Sequence, residues 1–196
     1  MSSAKENIRQ SEVAITPLIL KRWSPRALSG EKLSDEELLT LFEAAKWAPS
    51  AYNGQPWRFI YVKNGMPAWD KLFSTLAAGN KIWTRKAAVL VLVLSRNLFE
   101  YNDQPNPTAS FDCGAAWQNL ALEATSRGLV AHAMSGFDYD AARANFNIPD
   151  IYKPEVIIAL GRPGRKEDLP ENLRALEFPS DRKKLSEIIS EGEFKF

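Results

Sequence analysis

Histidine and cysteine are nearly absent: the 196-residue chain holds one of each, His132 and Cys113. One cysteine closes no internal disulfide, and one imidazole with one thiol cannot make the ligand cluster of a structural zinc. A reducing compartment is the expectation. Long apolar runs are missing too. The longest, residues 87–94, falls well short of the roughly 20 residues that cross a bilayer. The polar start MSSAKENIRQSEVA lacks the apolar stretch behind a positive flank that marks a signal peptide. The sequence therefore predicts a cytoplasmic protein with no membrane partner. Nor does either charge prevail: 25 Lys and Arg against 24 Asp and Glu give +1. That balance supports no nucleic-acid partner, polybasic anchor or acidic tail.

What is present suits a folded core. Hydrophobic residues make up 45% of the chain and aromatics 11%, while the 25% that are charged supply a solvated surface. No repeat, low-complexity tract or linker divides the chain. The expectation is one domain over residues 1–196, with an extended carboxyl-terminal arm near residues 190–196.

Residues 15–21 read as the end of a helix interrupted by Ser24-Pro25, because proline lacks an amide donor and restricts the residue before it. Ser34 and Glu37 have capping-box spacing, and Leu38, Leu41, Phe42 and Ala45 follow at helical intervals, ending near Pro49. Residues 51–56 read as a polar loop and 58–63 as a strand. After the Asn64-Gly65 turn, residues 66–76 read as a helix. Residues 87–95 do not alternate in polarity, as expected of a central strand covered on both faces. A loop at 101–107 leads to the longest helix, 111–127, kept slim by Gly114, Ala115, Ala116, Ala121 and Ala124 and closed by Gly128. Short strands at 130–133 and 156–160, helices at 138–146 and 182–190, and an extended 193–196 complete the reading. Helices mixed with strands, one of them buried, predict an α+β fold or a three-layer α/β sandwich rather than an all-helical bundle.

Two segments concentrate polar groups. Lys21, Arg22, Ser24 and Arg26 have the composition of a phosphate clamp, since guanidinium groups make charge-assisted, often bidentate bonds; a solvated basic turn would look the same. Pro49, Ser50, Asn53 and Gln55, flanked by Tyr52 and Trp57, offer donors to a planar polar heterocycle beside an aromatic wall; an ordered loop between helix and strand is the alternative.

Taken in order, Arg22 and Ser24, the 48–57 segment, Asn80, the 112–120 run DCGAAWQNL, Met134-Ser135-Gly136-Phe137, Gly161-Arg162-Pro163 and Arg182-Lys183 resemble the flavin-dependent nitroreductase family. The resemblance extends over residues 15–194. It implies a central mixed, mainly antiparallel sheet flanked by helices, in a homodimer that exchanges terminal structure. Two FMN groups would lie in clefts between the subunits. Arg22, Ser24 and Arg182 or Lys183 would hold the ribityl phosphate, with Arg26 and Trp23 at the same end; Trp23 stands where the family more usually has a basic residue. Pro49, Ser50, Asn53 and Gln55 would lie around the flavin. Asn80 would contact its pyrimidine side or ribityl chain, and Ala133, Met134, Ser135 and Gly136 would supply backbone groups near the isoalloxazine.

The family reaction runs in two halves: NADH or NADPH gives hydride to flavin N5, then a small aromatic acceptor stacks in the same cleft. The cofactor carries that chemistry, so a histidine-poor chain without an acid–base dyad is no objection. Nitroaromatics, quinones or related conjugated compounds are the expected acceptors. A specialised dehalogenase or flavin-fragmenting synthase of the same family, and a nonenzymatic flavin-binding or storage protein, remain alternatives. His132, between two alanines, reads as structural or superficial and Cys113 as a small core residue. Trp47, Trp57, Trp83 and Trp117 are ordinary packing or interface material as readily as stacking groups. Tyr101, Phe111 and Phe137 are candidates for the substrate cleft or its lid, and the 101–107 loop for discrimination among acceptors.

Overall fold

Alternation along one strand organises the molecule. The computed structural model describes residues 9–196; the first eight residues of the polar amino-terminal stretch lie outside it. Strand β2, Val89–Arg96, is buried along nearly its whole length. Its Leu90, Leu92 and Leu94 enter one apolar cluster, and its Val89, Val91 and Val93 enter another. A strand with two apolar faces must be covered on both. Helices α2 (Asp35–Lys46) and α5 (Ala109–Ser126) cover the valine face. Helices α3 (Trp69–Phe73), α4 (Ala78–Thr84) and α6 (Tyr139–Asn145) contribute Leu72, Trp83 and Ala142 to the leucine face. The result is the expected three-layer sandwich.

β1 (Trp57–Lys63), β2, β4 (Tyr152–Gly161) and β3 (Val130–Met134) form one sheet in the order β1-β2-β4-β3, and all three pairings are antiparallel. β1 and β3 are thus opposite edges. α2 begins as its sequence predicts: the Ser34 Oγ accepts from the Glu37 N–H at 3.1 Å, and the Glu37 carboxylate accepts from the Ser34 N–H at 2.8 Å. α5 ends at Ser126 and is closed by Gly128 two residues on, whose φ of 70° suits a residue without a Cβ.

Several elements differ from the sequence reading. β4 begins at Tyr152 rather than 156, because the register slips between Val93 and Leu94 and a bulge at Glu155 accommodates Pro154 within the ladder. The helix expected over 66–76 is confined to α3, and its end gives way to an isolated bridge from Leu76 to Phe137. α4 was not anticipated: it has no side-chain cap and carries Gly79 near its start. The helix expected over 182–190 is reduced to a single 3-10 turn, Leu185–Glu187. Leu185, Ile188 and Ile189 are exposed there, so no apolar face supports the helix. Residues 193–196 form no helix or strand, and Phe194 and Phe196 are exposed.

Candidate functional site

The Arg22–Arg26 turn follows α1 (Pro17–Lys21) and has no regular structure of its own; a bridge from Leu28 to Pro163 lies just beyond it. Arg22 is part-buried and donates to the Ser24 hydroxyl at 3.3 Å. Arg9 donates to the Arg22 carbonyl at 2.7 Å and to the Ser180 carbonyl at 2.9 Å, tying the start of the described chain to the segment before Arg182. Burial lowers the pKa of Arg22, and the nearby guanidinium groups of Arg9 and Arg182 lower it further. Arg9 is lowered by burial and by Arg182, against a smaller opposing effect from Asp181. Among the described residues none of Arg9, Arg22 or Arg182 forms an ion pair. Three mutually repelling cations thus border a cleft of about 1000 Å³, also lined by Gln118, Lys183 and Lys184 and by the carboxylates of Glu12 and Asp181. Such a cluster is arranged for an anion.

The end of β3 adjoins this turn. His132 is part-buried beneath it, with Nδ1 2.9 Å from the Pro25 carbonyl and its ring 4.5 Å from that of Trp83. Burial drives the imidazole pKa down to about 4; the Pro25 carbonyl opposes this, and Arg26 and Arg22 reinforce it. The ring is therefore neutral at pH 7, and since a carbonyl only accepts, Nδ1 carries the proton. The sole histidine thus ties β3 to the Pro25 carbonyl of the turn. Beyond β3, the Gly136 carbonyl accepts from the Ala77 N–H at 2.9 Å and the Asn80 amide at 3.0 Å. A Cβ on Gly136 would lie 2.9 Å from that amide nitrogen, so the end of the Asn80 side chain would have to shift to admit one. Asn80, expected as a cofactor contact, thus devotes one amide bond to holding the 133–136 segment. Ser135 is exposed, Ala133 and Gly136 are part-buried, and Met134 is buried.

The second polar segment stands at the other edge, before β1. Tyr52, Asn53 and Gln55 have φ of 50°, 53° and 43°, a left-handed conformation uncommon without glycine and costly unless the surroundings hold it. The Ser50 hydroxyl accepts from the Gln55 N–H, and the Gln55 amide donates to the Asn53 carbonyl. Arg58 donates to the Gln55 carbonyl and pairs with Glu100. The buried carboxylate of Asp112, on the first turn of α5, accepts from the Ala51 N–H and the Thr108 hydroxyl, both at 3.2 Å. Asn53 and Gln55 are exposed, as is Pro49. Beside them Tyr52, Phe99 and Tyr101 form a run of aromatic contacts with centroids 5.3–6.4 Å apart.

The structure thus brings Arg22, Ser24, Arg26, Ala133–Gly136 and Asn80 to the β3 edge of the sheet; of these only Arg22 lines the cleft that Arg182 and Lys183 also line. Pro49, Ser50, Asn53 and Gln55 lie apart from them. Trp23 is part-buried. Trp57 and Trp83 are buried, Trp117 packs against the valine-face cluster, and Trp47 is exposed, donating to Glu43. Cys113 is buried, its thiol pKa pushed up to about 12 by burial and the Glu155 and Asp112 carboxylates, as befits a core residue. Arg9 was missed; a lone arginine in a polar amino-terminal stretch gives no local signal.

The fold is an α+β sandwich with a cleft bordered by three arginines, and comparison with known proteins defines the family. The sequence profile of the Nitroreductase family matches residues 19–78 and 67–162, and the chain belongs to that family. It is 29% identical over 164 residues to a Streptomyces coelicolor protein named "Putative NADH dehydrogenase/NAD(P)H nitroreductase", covering 74% of this chain and 82% of that one. Among solved structures it resembles an oxidoreductase containing FMN at 42% identity, with a TM-score of 0.92 and 98% of each chain covered. A Desulfovibrio desulfuricans structure described as a "putative nitroreductase in complex with FMN" is 26% identical, with a TM-score of 0.72, covering 93% of this chain and 100% of that one.

Proposed function

We propose that this protein is an FMN-dependent oxidoreductase that uses NADH or NADPH to reduce nitroaromatics, quinones or related conjugated acceptors, and that it works as a homodimer. The observation that carries this reading is the convergence of Arg9, Arg22 and Arg182 without an ion-pair partner among the described residues. That donor set fits the ribityl phosphate of FMN. Arg22, Ser24 and Arg182 or Lys183 would hold the phosphate, and the backbone of Ala133–Gly136, fixed by Asn80, would lie along the isoalloxazine. FMN held there would supply the hydride- and electron-transfer chemistry between a nicotinamide and the acceptor. The chain's own work is to bind, orient and wall off the reacting ring.

A second copy supplies the remainder of the site. Three strand spacings of about 4.8 Å separate the edge strands β1 and β3, roughly 14 Å in all. The 49–55 loop of one chain is therefore poorly placed to enclose a ring lying against its own β3, whereas the same loop of a partner can approach from outside. Exposed Val13, Ile15, Ile19, Ile188, Ile189, Phe194 and Phe196 provide apolar surface for that partner to cover. The Tyr52–Phe99–Tyr101 group would travel with the loop and face the acceptor.

Titration of apoprotein with FMN, followed by flavin fluorescence, tests the reading. Removing a charged donor to phosphate costs about 1.5–3 kcal/mol, so Arg22→Ala is expected to weaken binding by roughly 10- to 150-fold while leaving the fold intact. Equal affinity in the variant would overturn the assignment.

A further inference from the structure

The Arg22–Arg26 turn poses a physical problem. It contains a proline, lacks regular structure, and carries Arg22, which the guanidinium groups of Arg9 and Arg182 repel, yet it must be in place when an anion arrives. Its solution lies in one peptide unit. The Pro25 carbonyl accepts from His132 Nδ1 at 2.9 Å, while the Arg26 N–H of the same peptide donates to both carboxylate oxygens of Glu177, at 2.9 and 3.1 Å. The next N–H, of Ala27, donates to Glu177 at 2.8 Å. Glu177 is 7% exposed and, among the described residues, forms no ion pair within 4 Å. A buried carboxylate close to the arginine turn is thus spent on backbone donors and does not neutralise the guanidinium groups. Charge-assisted bonds to N–H groups are stronger than neutral ones, which suits a grip on a turn under electrostatic strain.

We propose that Glu177 and His132 are positioning residues for the cofactor phosphate: by gripping the Pro25–Arg26 peptide from both sides, they set the turn that presents Arg22, Ser24 and Arg26 before any ligand binds. The inference rests on the FMN reading above and adds to it the device that preorganises the phosphate end. Preorganisation acts through lowered ordering cost on binding, so its loss should be felt by the phosphate and not by the ring.

That distinction makes the test. FMN and riboflavin differ by the phosphate alone, and dissociation constants for both are measured by fluorescence titration of wild-type, Glu177→Gln, His132→Leu and His132→Asn apoprotein, with circular dichroism as the check on folding. Glutamine retains the size of Glu177 but turns an amide donor toward an N–H; leucine removes the imidazole donor, and asparagine restores one near Nδ1. The expected result is that Glu177→Gln and His132→Leu weaken FMN roughly tenfold or more while riboflavin changes by less than about twofold, and that His132→Asn recovers most of the FMN affinity. Equal losses for both flavins would mean a merely structural role and would overturn the proposal, as would unchanged FMN affinity in either variant. If Glu177→Gln does not fold, the His132 pair decides by the same ratio. Wild-type protein that binds neither flavin would instead overturn the cofactor reading, and the clamp with it.

Discussion

At His132, burial outweighs the pull of the Pro25 carbonyl, and the imidazole pKa falls from its usual 6.5 to about 4. Between these values the unfolded chain binds a proton that the native ring refuses. Stability from this residue is therefore complete above about pH 6.5 and is lost as the pH falls toward 4, levelling off below. Over pH 7.5 to 4.5 the loss amounts to about 2–3 kcal/mol. Urea unfolding at fixed protein concentration should show His132→Asn, which keeps a donor but does not titrate, losing that much less than wild type over this range. Parallel pH profiles would contradict the buried neutral ring. Arg22 and Ser24 were candidates in the sequence because their contact is local. Arg9 and Glu177 were not, because their partners stand 171 and 151 residues away, and no spacing rule spans such distances.

At the scale of elements, the segment following β4 supports the arginine turn backbone to backbone. The Gly164 N–H donates to the Ala27 carbonyl at 2.9 Å, and the Ser29 N–H to the Arg162 carbonyl at 3.1 Å. A Cβ on Gly164 would lie 2.5 Å from the Leu28 carbonyl carbon and oxygen, which are backbone atoms with little room to yield. Gly164→Ala is expected to destabilise the protein by about 1–3 kcal/mol or more, read as a lower urea midpoint with unchanged m; an unchanged midpoint would show that the two segments are not in such close contact. Elements with strong local signals were read correctly: α2 from its capping box, β2 from its unbroken apolar run, and the end of α5 from Gly128. β4 was read short because Pro154 argues against a strand unless a bulge is known to follow. Residues 182–190 were read as helix, but within one chain Leu185, Ile188 and Ile189 are exposed and face no core.

For the molecule as a whole, composition and element order were enough to reach the layered architecture but not the strand order β1-β2-β4-β3, which depends on long-range pairing. That order separates the two polar segments to opposite edges, and from it follows the proposal that two copies share each site. No helix among the described residues is long and apolar enough to cross a membrane. Family membership rests on a profile match over most of the chain, whereas turnover is the central proposal. Its most direct test is the visible absorption spectrum of FMN-loaded protein without oxygen, before and after NADH or NADPH in separate samples. Bleaching of the oxidised flavin band, reversed on adding a quinone or nitroaromatic, is the predicted result. Bound flavin that neither nicotinamide bleaches would contradict it and favour a storage role or a different reductant.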